Sequence, residues 1–279
     1  MTRRSVPVLV PLLVVVSLTL AACAPAPPDA PAPSRIGLYG DSIGLQASPW
    51  FEQSVADAGR TPMGGSFPGA AACDVAEWVH TDLWGPTPPD AVAVTVVGNS
   101  FTPCMELSEG VLAAPDTPEF LELYREAITS IADETLAAGV PLLFAWGPPS
   151  AGPGDDEWVE QLPIRDLAQE IAQTHPNMQL VDAGAAVTPV GGGYAVDLPC
   201  VPDETRAQGC SDGQIQIRVS ETDGHFACRE SQMSNGWPRP CPVYSSGARR
   251  YGEALAVAAN AALSDQSRGP TGPADPPGS

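Results

Sequence analysis

The chain reads as an α/β domain: a flavodoxin-like, five-stranded parallel sheet in the order 2-1-3-4-5, covered by helices on both faces to make a three-layer αβα sandwich. Three observations predict it. Short apolar runs alternate with longer segments of helical spacing from Arg35 to about Leu263, which implies parallel strands joined by crossover helices. The clearest run, Ala91-Val92-Ala93-Val94-Thr95-Val96-Val97, is continuous and rich in β-branched residues, as a strand covered on both faces should be. An Ala/Pro-rich stretch from Ala24 to Ser34 and a Gly/Pro-rich one from about Asp265 to Ser279 cannot build a core, and the stretch between them, about 230 residues, suffices for one such domain. Right-handed crossovers then leave few topologies.

The elements follow in order. Arg35-Ile36-Gly37-Leu38-Tyr39-Gly40 is a short apolar run that stops at Asp41-Ser42, and it predicts the first strand. Gln46 to Ala58 has apolar residues near helical spacing and ends at Gly59, so a helix is expected there. Arg60 to Phe67 holds a short strand that leads into Pro68-Gly69-Ala70-Ala71-Ala72-Cys73, and Asp74 to Trp84 forms another helix. The third strand, Ala91–Val97, ends in Gly98-Asn99-Ser100. Thr117 is a suitable N-cap, Pro118 fits the first helical position and Gly139 the stop of a helix over 118–138. Pro141 to Trp146 is the fourth strand, Asp156 to Thr174 a helix, and Met178 to Val181 a fifth strand ending at Asp182. Ala183 to Thr222 is long, irregular and cysteine-bearing, and reads as an insertion or lid. The last helix runs from about Ser246 to Leu263.

The N-terminus has its own logic. Arg3 and Arg4 precede an apolar run from Val6 to Ala22, and the sequence then reads Leu20-Ala21-Ala22-Cys23. A positive start, an apolar middle and small residues before a cut make a secretory signal. A permanent anchor needs about 20 apolar residues, and this run is shorter and holds Pro11. The residues after the paired arginines fit a twin-arginine route poorly. The Leu-Ala-Ala-Cys ending resembles the bacterial lipoprotein signal, which implies a lipidated Cys23 as first mature residue. The expected organisation is a signal peptide over 1–22, an Ala/Pro-rich tether over 23–34, a domain over 35–264 and a Gly/Pro-rich disordered tail over 265–279. The domain would sit at the outer face of the cytoplasmic membrane.

Thirteen Lys+Arg against 33 Asp+Glu give a formal net charge of −20. Such a surface repels nucleic acid and anionic head groups alike, so the lipid on Cys23 must hold the protein at the membrane. Setting Cys23 aside leaves Cys73, Cys104, Cys200, Cys210, Cys228 and Cys241. An even number in an exported chain implies disulfides, and pairing neighbours gives Cys73–Cys104, Cys200–Cys210 and Cys228–Cys241. A zinc site is the rival reading, but no pair has the close Cys-x2-Cys spacing of structural zinc.

Gly40-Asp41-Ser42 is turn chemistry on its own. At the carboxyl end of a strand and before a helix, however, its serine has a hydroxyl at the mouth of a sheet and an N–H near a helix N-terminus, where a nucleophile can face an oxyanion. A serine needs a base, and histidine is the usual one. His80 lies in a helix with a surface or packing role, and His175 precedes Pro176 at a helix end, where it caps carbonyls. His225, in Glu221-Thr222-Asp223-Gly224-His225-Phe226, lies in a loop before the final helix with acids beside it. It is the expected base.

Together these residues resemble the SGNH (GDSL-type) hydrolase family from Arg35 to about Leu263. Gly40-Asp41-Ser42 matches its first block, whose serine is the nucleophile. The resemblance implies that Gly69 is the second-block glycine, giving an N–H to the oxyanion hole with that of Ser42, and that Asn99 is the third-block asparagine, giving a side-chain donor. His225 resembles the fifth-block histidine. Two departures stand out. The third block is usually Gly-x-Asn-Asp, whereas this chain has Val97-Gly98-Asn99-Ser100. The fifth is usually Asp-x-x-His, whereas here Thr222 is three before His225 and Asp223 two before. The triad acid is then Asp223, or the imidazole is oriented by Glu221 or a carbonyl. Gly40-Asp41-Ser42-Ile43-Gly44 also fits the Gly-x-Ser-x-Gly nucleophile elbow, but that serine follows several strands, and here only one precedes it.

Three functions are compatible with these residues. The first is an esterase acting on acyl esters of carbohydrate or lipid at the cell envelope, as a monomer with no metal or cofactor. The second is an O-acyltransferase of the same chemistry acting on an envelope glycan. The third is a surface-anchored binding protein without turnover. Trp146, Trp158 and Trp237 are candidates for a substrate groove, against the commoner role of packing.

Overall fold

A computed structural model describes residues 32–115, 117–151, 158–159, 162–220, 223–228, 241 and 243–266. The signal segment, Cys23, most of the tether, Glu221, Thr222, Trp237 and the tail beyond 266 lie outside the described residues.

The chain enters through β1 (Arg35–Gly40), α1 (Ser42–Asp57), β2 (Thr61–Ser66), α2 (Ala72–Leu83) and β3 (Ala91–Val96). A small antiparallel pair, β4 (Glu106–Ser108) and β5 (Val111–Leu112), precedes α3 (Pro118–Ala138) and β6 (Leu142–Trp146). A second small pair, β7 (Ser150–Ala151) and β8 (Trp158–Val159), leads to α4 (Leu162–Ala172) and β9 (Met178–Leu180). Two further pairs follow: β10 (Asp197–Pro199) with β11 (Gln214–Gln216), and β12 (Arg218–Ser220) with β13 (Asp223–Phe226). The final helix is α5 (Ser246–Gln266).

The central sheet has the order β2-β1-β3-β6-β9, and its strand pairs are all parallel. Counted over the sheet alone this is the expected 2-1-3-4-5. Period-two alternation divides β3 between two cores. Val92, Val94 and Val96 pack with residues of α2, α3 and α4, whereas Ala91 and Ala93 pack with residues of α1 and α5. Small side chains on the second face let those two helices come close to the strands.

Helix α1 starts four residues earlier than its hydrophobic spacing predicts. Asp41 is the reason: its Oδ1 accepts the Ile43 N–H at 3.0 Å and caps the first turn at Ser42. Pro49 lies inside this helix and has no N–H for the Leu45 carbonyl, but the Ser48 hydroxyl donates to that carbonyl at 3.0 Å. Helix α3 starts and stops as expected, with the Thr117 hydroxyl accepting the Phe120 N–H and Gly139 in the left-handed region. Helix α4 is shorter than the expected 156–174, because Trp158–Val159 is extended instead.

The three disulfides join Cys73 to Cys104, Cys200 to Cys210 and Cys228 to Cys241, the neighbour pairing expected. The stretch 183–222 is more ordered than an irregular lid. It holds a 3-10 helix (Ala183–Val187), the β10–β11 pair and the start of the β12–β13 pair. Glu204 fastens it to α5. Its side chain is fully buried and takes Arg250 at 2.5 Å, with Ser246 and Tyr244 as further donors. Burial pushes this carboxyl up, but those donors and the Val201 N–H outweigh it and hold the pKa at about 2. No described helix is long and apolar enough to cross a membrane.

Candidate active site

Ser42 is the first residue of α1, directly beyond the carboxyl end of β1. Its N–H is one of those that an α-helix leaves without an internal acceptor. Gly40 and Gly44 flank it because the structure has no room there. A Cβ on Gly40 would lie 2.5 Å from the Thr95 carbonyl oxygen, and one on Gly44 would lie 2.9 Å from both Ser66 Oγ and Thr95 Cγ2. Close packing of α1 onto the sheet thus accounts for the Gly-x-Ser-x-Gly pattern without a nucleophile elbow.

Asp41 is fully buried and does more than cap α1. Its Oδ2 accepts the Val97 N–H at 2.6 Å and the Asn99 amide at 3.3 Å, which ties the loop after β3 to the serine's own turn. Burial pushes its carboxyl up, and the backbone N–H groups of Val97, Ile43 and Gly44 together with His225 pull it back, leaving a pKa of about 6.

Asn99 faces inward. Its Nδ2 donates to Asp41 and, at 3.1 Å, to the Ala70 carbonyl, so both amide hydrogens have acceptors within the protein. The Asn99 carbonyl accepts from Tyr124 at 2.8 Å. The loop after β2, which carries Gly69 at a φ of +78°, is therefore joined through Ala70 to the loop after β3. These loops, with Ser42, crown one rim of the sheet, where ligands of open α/β sheets bind.

His225 lies in strand β13, not in the loop that the sequence predicts. Its Nδ1 is 2.6 Å from Asp223 Oδ1, and the same oxygen accepts the His225 N–H at 3.0 Å. In an extended chain residues i and i+2 share a face, which is why Asp-x-His closes this contact. The pair is half-exposed, at 34% for the imidazole and 43% for the carboxylate.

What brings His225 to Ser42's helix is Gln46, one turn on from the serine and on the same helical face. Its side chain accepts the Phe226 N–H at 2.9 Å and donates to the Phe226 carbonyl at 3.3 Å. The other side of the β12–β13 pair is held by Arg218, which is 1% exposed. It donates to the Gly224 carbonyl at 2.7 Å, and its guanidinium stands over the Phe226 ring. Desolvation pushes Arg218 down to about 10. Tyr194 adds a buttress from the 183–222 stretch, donating to the carbonyls of Ser220 and Asp223. The sequence does not single out Gln46, Arg218 or Tyr194 as site residues. Only Gln46 carries a local signal, a buried-face position four residues after Ser42.

The other histidines stand apart. His80 Nδ1 meets Glu134 at 2.7 Å on the surface, and His175 Nδ1 caps the Ile171 carbonyl at 2.8 Å. Cys73, Asp74 and Cys104 cluster, but the two sulfurs are bonded to each other. Trp237 and the Trp158 side chain lie outside the described residues.

No protein-family model and no curated protein matches the chain. Solved structures do. The chain is similar to GDSL-like hydrolases and acyl-transfer enzymes. The catalytic domain of peptidoglycan O-acetyltransferase A from Streptococcus pneumoniae aligns at 14% identity and a TM-score of 0.46, over 84% of this chain and 96% of that one. A GDSL-like lipase from Bacteroides thetaiotaomicron aligns at 12% identity and a TM-score of 0.42, over 84% and 89%. An acetylxylan esterase from Geobacillus stearothermophilus aligns at 15% and 0.41, over 56% and 78%.

Proposed function

We propose that this protein is a serine esterase that hydrolyses acyl esters of carbohydrate or lipid at the cell envelope through an acyl-enzyme on Ser42. The reading rests above all on the Gln46–Phe226 clamp, which links the helix that starts at Ser42 to the strand that carries the His225–Asp223 pair. In the proposed reaction the Ser42 hydroxyl attacks the ester carbonyl as His225 takes its proton, and Asp223 holds the imidazole in the tautomer that leaves Nε2 as acceptor. The N–H groups of Ser42 and Gly69 steady the oxyanion, and the Asn99 amide joins them by giving up its longer contact, the one to Asp41. The alcohol leaves with the proton from His225. Water, deprotonated by the same imidazole, then attacks the acyl-enzyme carbonyl, and His225 returns the proton to the Ser42 oxygen as the acid leaves.

Placement at the envelope rests on the Leu20-Ala21-Ala22-Cys23 ending and the six further cysteines. The lipid on Cys23 is the membrane partner, and the chain acts as a monomer with no cofactor.

The test is direct. Ser42→Ala and His225→Ala should each lower hydrolysis of p-nitrophenyl acetate or butyrate by on the order of 10⁴-fold or more, and a fluorophosphonate probe should label Ser42 in the folded wild type. Full activity in either variant overturns the assignment. A folded wild type that neither turns over the esters nor takes the label leaves a non-catalytic binding protein instead.

A further inference from the structure

We propose that the cavity beside Trp146 is a subsite for an uncharged sugar ring in the alcohol part of the substrate, which deepens the esterase reading and rests on it. The cavity has a volume of about 400 Å³ and lies beyond the carboxyl ends of β6 and β9, lined by Trp146, Pro149, Arg165, Asp182 and Thr188 among others. That volume falls in the range of roughly 300–1,000 Å³ usual for small-molecule sites.

Its position ties it to the candidate catalytic rim from two sides. Trp146 pairs in register with Val96, and the Gly147 N–H donates to the Val96 carbonyl at 2.8 Å. The next residue, Val97, is the one whose N–H binds Asp41. On the other side the Pro149 carbonyl faces Arg218 at 3.5 Å, the residue that holds Gly224 beside His225. A substrate whose ester carbonyl meets Ser42 therefore has this cavity as a neighbour.

The lining selects the chemistry. An acyl chain calls for apolar walls, and covering a guanidinium, a carboxylate and a hydroxyl with hydrocarbon would leave them dehydrated at a cost. A sugar ring suits all of them, since its hydroxyls donate to Asp182 and to Thr188, whose own hydrogen goes to the Gly184 carbonyl at 2.7 Å, and accept from Arg165. The indole of Trp146 offers a flat apolar surface for the C–H face of such a ring. Arg165 is the cation of the lining and is already paired with Asp166 at 3.0 Å, so the cavity holds no spare positive charge to draw an anionic ligand.

The experiment uses the detergent-solubilised full chain. Xylotetraose, cellotetraose and chitotetraose are titrated calorimetrically into Ser42→Ala protein, alone and with Asp182→Asn, Arg165→Met or Trp146→Leu added. At least one oligosaccharide should bind, and each added change should weaken it by about tenfold, the scale of one lost polar contact. The same three changes are also made in the Ser42 background, where p-nitrophenyl octanoate turnover is read against that of p-nitrophenyl acetate. No binding by any of the three sugars, or equal binding by the variants, overturns the subsite. So does a selective loss of p-nitrophenyl octanoate turnover, which would make the cavity an acyl site. Sugar binding without any ester turnover in the wild type would instead overturn the esterase reading and keep the subsite.

Discussion

Gln46 holds Phe226 by both its backbone N–H and its carbonyl, at 2.9 and 3.3 Å, across 180 residues of sequence. The clamp joins the first helix of the domain to β13, the strand before the final helix. It is buried, so removing it takes a hydrogen bond from each of two main-chain groups. Gln46→Ala should cost about 1–3 kcal/mol of stability. It should also lower kcat on p-nitrophenyl acetate by roughly 10–100-fold with little change in KM, since the imidazole loses its placement and the binding surface does not. Denaturant unfolding and steady-state kinetics on the same preparation check both. A stable variant with unchanged kcat would show that His225 is placed by other contacts.

Asp223 tests the shortened Asp-x-His spacing. Because strand geometry sets Oδ1 2.6 Å from Nδ1, Asp223→Asn keeps the shape of the pair but removes its charge and favours the wrong tautomer. The expected loss in kcat is on the order of 10³–10⁴-fold. The β12–β13 pair should stay intact, because Arg218 and Tyr194 hold Gly224 and the Asp223 carbonyl by main-chain contacts. A loss under about tenfold would remove Asp223 from the triad and leave the imidazole oriented by some other group.

This spacing also marks where sequence reasoning stopped. The sheet was legible because β3 is an unbroken apolar run and because Thr117, Pro118 and Gly139 punctuate α3 by local chemistry. The nucleophile position was legible for the same reason, a strand halted by Gly40-Asp41-Ser42. The strand that carries His225 was not. Asp223–Phe226 is four residues long, and its conformation is fixed by distant partners, Gln46, Arg218 and Tyr194, rather than by its own pattern. The start of α1 was hidden likewise, since Gly44 and Pro49 weaken the helical signal and the Asp41 cap and the Ser48 hydroxyl restore the helix.

Asn99 makes a two-part prediction. Its amide bridges Asp41 and the Ala70 carbonyl, so Asn99→Ala both removes an oxyanion donor and unfastens the loop that carries Gly69. The kcat should fall by about 10²–10³-fold. Thermal stability should fall as well, since the Ala70 carbonyl loses a donor worth about 1 kcal/mol. Asn99→Asp separates the two effects. It offers no amide hydrogen and sets a second carboxylate against Asp41, so its kcat should be at least as low as that of Asn99→Ala. Unchanged kcat in either variant would take Asn99 out of the oxyanion hole.

Asp41 predicts an unusual pH dependence. In the unfolded chain its carboxyl titrates near the ordinary 3.8, and in the fold, where burial dominates over the N–H donors and His225, near about 6. Between those values the folded chain holds a proton that the unfolded chain has released. Stability from this group is therefore complete below pH about 4 and is lost as the pH rises through about 6. Glu204 runs the other way: with its pKa held at about 2, its contribution is complete above the unfolded value of 4.5 and is lost only as the pH falls through about 2. The two windows share only the narrow interval between 3.8 and 4.5, so above it the two groups can be told apart. Asp41→Asn cannot titrate, and the stability of wild type relative to this variant should decline by roughly 2–3 kcal/mol between pH 4 and pH 7. Urea unfolding at several pH values across that interval measures the difference directly. A relative stability that stays level, or that rises with pH, would mean that the Val97, Ile43 and Gly44 N–H groups stabilise the Asp41 carboxylate at least as much as burial penalises it.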